Sequence, residues 1–544
     1  MTVVKSKSLR SIGLIAVLAL TLCLALAISA QAQSPVSYKE PTYTEGELLI
    51  QVSRYVDAKS IGDVFSAQDL KPVELLGPDM NIWLYSYDDA GWTKEMREAF
   101  LEDVKDQYGV LLAQFNHHVT MRSTIPNDPS FGQQYCHNNT GQSGGTVDAD
   151  MDSPEAWDIT TGGTTSTGDE IVVAIVDGGC DLAHPDINYW KNTDEIPGNS
   201  IDDDANGYVD DYDGWDAYAN DGSVPSNSHG THVAGIAAAR GNNLLGVTGV
   251  NWNCKVMPVA GSSGTESIVV RAYAYVLKER KLYNQTNGLQ GTFVVATNSS
   301  FGVDFGQPAN FPLWCAYYDS LGNAGILSAC ATANQNINID TSGDIPTACP
   351  SPYMIAVTNT TRTDARNSGA AYGATTIDLG APGTDVYSTL PGASYGNNTG
   401  TSMATPQVCG AVALLWSEAC PTMMAAYKQN PGALAIVMRD FLFGGVDLKP
   451  SLAGITTTGG RLNVYNSLLL VQSYPCGVAI SHEPLTDTKE TVTPYAVVAN
   501  IVADAALNPD SLFLKYTIGL TNYLDTLVST GNPDEYSGSI PAQA

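Results

Sequence analysis

The stretch EIVVAIVDGGCDLAHPD, residues 170–186, carries an apolar run from Ile171 to Val176 that stops at Asp177 and turns on Gly178-Gly179. A strand apolar on both faces belongs in a parallel sheet covered by helices on either side. Four further runs share this texture: CKVMPVA (254–260), TFVVATNSS (292–300), GILSACATAN (325–334) and PYMIAVTNT (352–360). Stretches with helical apolar spacing lie between them at His229–Ala239, Glu266–Arg280 and Ser402–Trp416. The alternation from Ala156 to about Leu470 predicts a doubly wound, mostly parallel α/β domain spanning 127–472. In such a domain the site lies beyond the carboxyl ends of the strands.

Outside that domain the texture changes. In residues 38–122, strands are expected at Glu47–Val52, Lys71–Leu76, Asn81–Ser86 and Leu111–Thr120, with helices at Ala58–Ser66 and Lys94–Gln107. The order β-α-β-β-α-β predicts a small ferredoxin-like α+β domain. STIPNDPS, 123–130, reads as an irregular connector. After Cys476, YAVVANIVA (495–503), SLFLKYTIG (511–519) and EYSGSIPA (535–542) predict a partial β-sandwich module over 477–544, cut short at Ala544.

At the N-terminus Lys5, Lys7 and Arg10 precede an uncharged run from Ile12 to Ala30, and Ala30-Gln31-Ala32 offers small residues at signal-peptidase spacing. This predicts a secretory signal over 1–32 and an extracellular protein, the alternative being an uncleaved membrane anchor. Acidic residues outnumber basic ones 56 to 26, for a formal charge of -30. Such a field repels nucleic acid and anionic membranes, and it suits solubility or the holding of calcium. Of ten cysteines, Cys23 falls in the signal, and the remaining nine cannot all pair within the chain. Cys330 and Cys349 flank one loop and are the expected pair, whereas Cys409, inside an apolar helical run, is expected to be a buried thiol.

Three local patterns carry chemistry. Asp177 ends a buried strand before a glycine turn, His229 opens the helix of NSHGTHVAGIAAA, and Ser402 opens that of NNTGTSMATPQVCGAVALL. Acyl transfer from an amide needs a nucleophile, a base for its proton, an orienter for the base and donors for the oxyanion. Aspartate, histidine and serine supply the first three roles. A helix start adds free N–H groups and partial positive charge beside the hydroxyl. His229 and His232 do not make a zinc pair, because no Glu occupies the HExxH position. Asp202, Asp204, Asn206, Tyr208 (through its carbonyl), Asp210 and Asp213 fall at positions 1, 3, 5, 7, 9 and 12 of a loop with Gly207 at 6, the spacing of an EF-hand-type calcium loop.

HGTHVAG (229–235) and GTSMATP (400–406), with Asp177 upstream, resemble the motifs of the subtilisin-like serine proteases, the subtilases, over about Asn127 to Leu470. The resemblance implies a secreted endopeptidase with an Asp177/His229/Ser402 triad and no organic cofactor. It also implies an oxyanion donor at Asn334, although Ala333 stands where Gly is usual. An extended polypeptide would pair with Ser300-Phe301-Gly302 on one side and Gly261–Gly264 on the other, so that Gly261, Gly264, Ser300, Phe301 and Gly302 form the substrate channel. Val303 replaces a second Gly and is expected to narrow the first specificity pocket, and Gln407 replaces a His. Asp186 and Asn243 resemble part of a structural calcium site. Residues 38–122 resemble the family's propeptide, an intramolecular chaperone and inhibitor, and the mature protein is expected to be a monomer. The competing readings are a non-catalytic subtilase-like scaffold and an esterase. The latter expects GxSxG with serine before histidine, unlike Gly400-Thr401-Ser402-Met403-Ala404.

Overall fold

The computed structural model describes residues 43–117, 124–483, 485, 492–504, 507, 512–518 and 521–542. The candidate signal at 1–32 and the end of the expected strand at 118–120 lie outside them. The chain divides into two units at Arg122/Ser123.

The first unit runs β1 (Tyr43–Val52), α1 (Ala58–Val64), β2 (Lys71–Gly77), β3 (Ile82–Ser86), α2 (Lys94–Lys105) and β4 (Val110–His117). Its antiparallel sheet has the order β2-β3-β1-β4. Alternation along β1 turns Leu48, Ile50 and Val52 inward onto Phe100, Leu101 and Val104 of α2. This is the β-α-β-β-α-β arrangement read from the periodicity.

The second unit is built on a nine-stranded sheet. Its strands are β5 (Val172–Asp177), β6 (Trp215–Asp216), β7 (Lys255–Ala260), β8 (Val294–Ser299), β10 (Leu327–Ala331), β12 (Met354–Thr360), β13 (Leu379–Pro382), β16 (Asp447–Leu448) and β17 (Gly460–Arg461). They lie in the order β16-β17-β13-β12-β10-β8-β5-β7-β6, and all pairs are parallel except β16 with β17. Two-residue ribbons pair β9 (Val303–Asp304) with β11 (Asp344–Ile345), and a longer hairpin joins β14 (Val386–Leu390) to β15 (Ser394–Asn398). The helices are α3 (Ser153–Ile159), α4 (Ser228–Ala238), α5 (Glu266–Thr286), α6 (Pro312–Asn323), α7 (Ile339–Ser342), α8 (Thr401–Trp416), α9 (Pro421–Gln429), α10 (Pro431–Gly444) and α11 (Val464–Gln472).

All six residues of β5 are buried, and they serve two cores alternately. Val173 and Ile175 join the layer of α4 and α8, while Val172, Ala174 and Val176 join that of α5 and α6. The chain leaves β5 for β7 on one side and returns to β8 on the other. Strand order therefore reverses at β5, where a doubly wound sheet opens its crevice. Helix α8 runs through the core with only Ser402 half-exposed, which is why its sequence is apolar all round.

The disulfides join Cys315 to Cys349 and Cys420 to Cys476. This corrects the expected Cys330–Cys349 pair, since Cys330 is an interior residue of β10 with its thiol in the core. Cys409 is a buried free thiol, as expected. In the C-terminal segment β18 (Val478–His482), β19 (Tyr495–Ala503), β22 (Val528–Ser529) and β23 (Glu535–Ile540) form one antiparallel sheet, and β20 (Phe513–Ile518) pairs with β21 (Thr521–Thr526) in another. A small core of Ala499, Ile501 and Leu527 is packed by Leu514 and Tyr536.

Candidate active site

Asp177 is the last residue of β5 and 2% exposed. Its Oδ1 accepts the Gly178 N–H at 2.7 Å, and its two carboxylate oxygens lie 3.0 and 2.9 Å from Nδ1 of His229. His229 is the second residue of α4, whose start is capped by Asn227 Oδ1 accepting from the His229 and Gly230 N–H groups. The residue after the histidine must be glycine, because a Cβ at Gly230 would stand 2.0 Å from the Gly179 carbonyl oxygen. Burial works against a charged His229 ring, but the hydrogen bond to Asp177 and its charge outweigh it, and the pKa stands above 6.5. His232, on the buried side of the same helix, bonds the Gly396 carbonyl through Nε2 at 3.0 Å, and burial lowers its pKa to about 4.

Ser402 is the second residue of α8. Its hydroxyl donates to the Ser300 carbonyl at 3.4 Å, and its own carbonyl accepts from the Ser300 hydroxyl at 3.0 Å. Asn334 follows β10 and reaches the same helix start, its Oδ1 accepting the Thr401 N–H at 3.0 Å. A pocket of about 80 Å³ opens beside Ser402, with Asn334, Ser300, Phe301 and Gly302 in its wall. Ala333 does not have positive φ, and its methyl is buried with Ile339, Ala356 and Ala371, so the usual glycine is replaced without left-handed strain. Val303 is 39% exposed, and its neighbours Gly302 and Asp304 line the pocket, with Asp344. Gln407 is fully buried in α8.

Gly261 and Gly264 follow β7, on the far side of β5 from Ser300. Gly261 donates its N–H to the Asp177 carbonyl at 2.7 Å, and a Cβ there would meet that of Ala272 at 2.8 Å. Gly264, with φ +90°, turns the chain into α5. The strand-end segments therefore flank β5 on both sides, at the carboxyl edge of the sheet.

The acidic loop folds differently from its linear spacing. The carboxylates lying within 4.8 Å of one another are those of Asp202, Asp204 and the buried Glu195. Asp210 instead accepts the N–H groups of Gly198, Asn199 and Ser200, and Asp213 pairs with Lys191. Asn206 directs its amide nitrogen to Asp204, Asp211 and Glu279, and the Tyr208 ring packs against Trp215 and Tyr275. Burial pushes Asp211 up to about 6 and Glu279 up to about 8, so this acidic nest is crowded to its base. An all-oxygen set of three close carboxylates suits calcium, a hard cation, and not a soft metal. Asp186 and Asn243 do meet, Asn243 Nδ2 donating to Asp186 Oδ1 at 2.7 Å. Asp128, unmarked in the sequence reading, holds the same loop through the Asn242 and Asn243 N–H groups. Burial, with the Asp186 charge adding, raises its pKa. These oxygens too fit a calcium ion.

A doubly wound sheet with an Asp–His contact at the strand reversal and a serine at a buried helix start defines a class of α/β hydrolytic site. Residues 168–439 match the Subtilase family, and the chain belongs to that family. It is 31% identical to thermitase of Thermoactinomyces vulgaris over 303 residues, covering 54% of this chain and 86% of that protein. It is 32% identical to subtilisin E of Bacillus subtilis (strain 168) over 254 residues, covering 46% and 57%, and 32% identical to an extracellular protease of Xanthomonas campestris pv. campestris over 352 residues, covering 58% and 52%. The matched stretch thus spans little more than half the length of the last two.

Proposed function

We propose that the protein is an exported serine endopeptidase acting on extended polypeptides. The observation that carries this is the 2.9 Å contact between Asp177 and His229 in a chain whose Ser402 opens the next buried helix of the site. In the reaction Ser402 Oγ attacks the peptide carbonyl, and His229 Nε2 takes its proton and passes it to the leaving amine. Asp177 holds the ring through Nδ1 and stabilises the imidazolium. The oxyanion is received by the Ser402 N–H and the Asn334 amide. Water then deacylates the serine with the same base.

In this reading, residues 38–122 act as chaperone and inhibitor before removal, the mature enzyme is a monomer, and export follows from the basic-then-apolar N-terminus. Calcium would be held by Glu195, Asp202 and Asp204, and by Asp128, Asp186 and Asn243. Its role is structural, neutralising carboxylates that repel each other.

A fluorophosphonate probe should label the full chain at Ser402, and denatured protein substrate should be cut. Absence of both labelling and cutting overturns the reading in favour of a scaffold.

A further inference from the structure

The β9–β11 ribbon sets Asp304, whose Oδ2 accepts from the Gln335 amide, directly opposite Asp344, and both residues line the pocket beside Ser402. Like charges facing each other across a ladder destabilise it unless a proton or a cation intervenes. Asp344 is only 2% exposed. Three protein donors reach it, all at Oδ2: the Ala333 N–H at 3.0 Å, the Thr332 hydroxyl at 3.2 Å and the Thr347 hydroxyl at 2.5 Å. Among the described hydrogen bonds none reaches Oδ1, and that oxygen keeps some exposure to solvent, so one side of the carboxylate is open to a partner. An ionised group set this deep gains from a counter-charge.

The carbonyl attacked by Ser402 must sit between that residue and Asn334, both in the wall of this pocket. The side chain borne by the same substrate residue is therefore the one that enters. We infer that this pocket selects a cationic side chain, lysine or arginine, on the residue preceding the cleaved bond, with Asp344 as its counter-charge and Asp304 at the rim. The inference rests on the peptidase reading and adds the substrate class. Burial, reinforced by the Asp304 charge, raises the Asp344 carboxyl to about 6, so it is ionised at neutral pH and open to pairing.

Asp344 also ties down Thr332 and Ala333, just before Asn334, so a positioning role must be separated from a specificity role. Two peptides differing only in Lys or Leu before the cleaved bond serve for this. The wild-type chain should show the higher kcat/KM on the Lys peptide. In Asp344→Asn the Lys/Leu ratio should fall about 10²-fold, the loss typical of removing one partner of a buried charge pair. An equal loss on both peptides would mean that Asp344 only positions the oxyanion turn, and it overturns the inference. A second measurement needs no variant: benzamidine should compete with the Leu peptide on the wild-type chain, and neutral benzamide should compete at least about tenfold more weakly. Equal inhibition by the two, or wild-type cleavage after Leu but not after Lys, overturns the inference while the peptidase reading stands. Cleavage of neither peptide without fluorophosphonate labelling would defeat the peptidase reading itself.

Discussion

Asn334 Oδ1 accepts the backbone N–H of Thr401 at 3.0 Å, one residue before Ser402. The side chain thereby satisfies a donor at the start of α8, where Gly400 offers no side-chain cap. Asn334→Ala should lower turnover by about 10² to 10³ with KM little changed, a figure that comes from subtilisin itself. Loss of the cap should cost about 1 kcal/mol, read as a small drop in melting temperature. A turnover loss below about tenfold would mean that the oxyanion is held elsewhere.

Ser402→Ala removes a hydroxyl whose one described donated hydrogen bond is the 3.4 Å contact to Ser300. Peptide hydrolysis should vanish while the thermal unfolding curve stays within about 1 kcal/mol of wild type. A well-folded variant that keeps most of its activity contradicts the assignment.

As a general base His229 would work only when neutral, and its pKa stands above 6.5 because Asp177 favours the charged ring more than burial disfavours it. Activity should therefore fall as pH drops through that raised pKa. Asp177 and His232 are the titratable groups coupled to the ring, and burial holds His232 neutral there. Asp177→Asn removes the raising influence, so the acid limb of kcat/KM should move to lower pH while turnover falls about 10⁴-fold. An acid limb that stays put would separate the profile from this pair.

Glu195, Asp202 and Asp204 crowd three carboxylates within 4.8 Å. Calcium at about 100 times its dissociation constant should add about 2.7 kcal/mol, and excess chelator should remove it and speed self-digestion. Glu195→Gln should weaken the calcium dependence of the melting temperature. An unchanged melting curve in chelator would exclude a bound structural ion.

If the first unit is a propeptide cut by its own enzyme, wild-type chain should release a fragment of about 10 kDa, roughly 90 residues from the signal cleavage to the connector. Ser402→Ala, made in a host without helper proteases, should keep it attached. Loss of the fragment from that variant at the wild-type rate would assign the cut to another protease.

The parallel sheet and the positions of Asp177, His229 and Ser402 were legible in the chain because their signals are local. A strand buried on both faces is apolar throughout, a strand ends at Gly178-Gly179, and a helix that crosses the core is apolar all round. Two-residue strands such as β6, β9 and β11 carry no periodicity and could not be read. The partners of the charged groups were decided by tertiary structure alone. Glu195 joins Asp202 and Asp204, and Asp210 turns to the Gly198–Ser200 backbone, because the loop folds back on itself and the twelve-residue spacing does not persist. Asp128 meets the loop that carries Asn243 across more than a hundred residues. Cys349 finds Cys315, and Asp344 finds Asp304, through the packing of α6 and the register of the β9–β11 ribbon. Linear spacing carries no trace of such meetings, since register between distant segments is set by which faces the whole core buries.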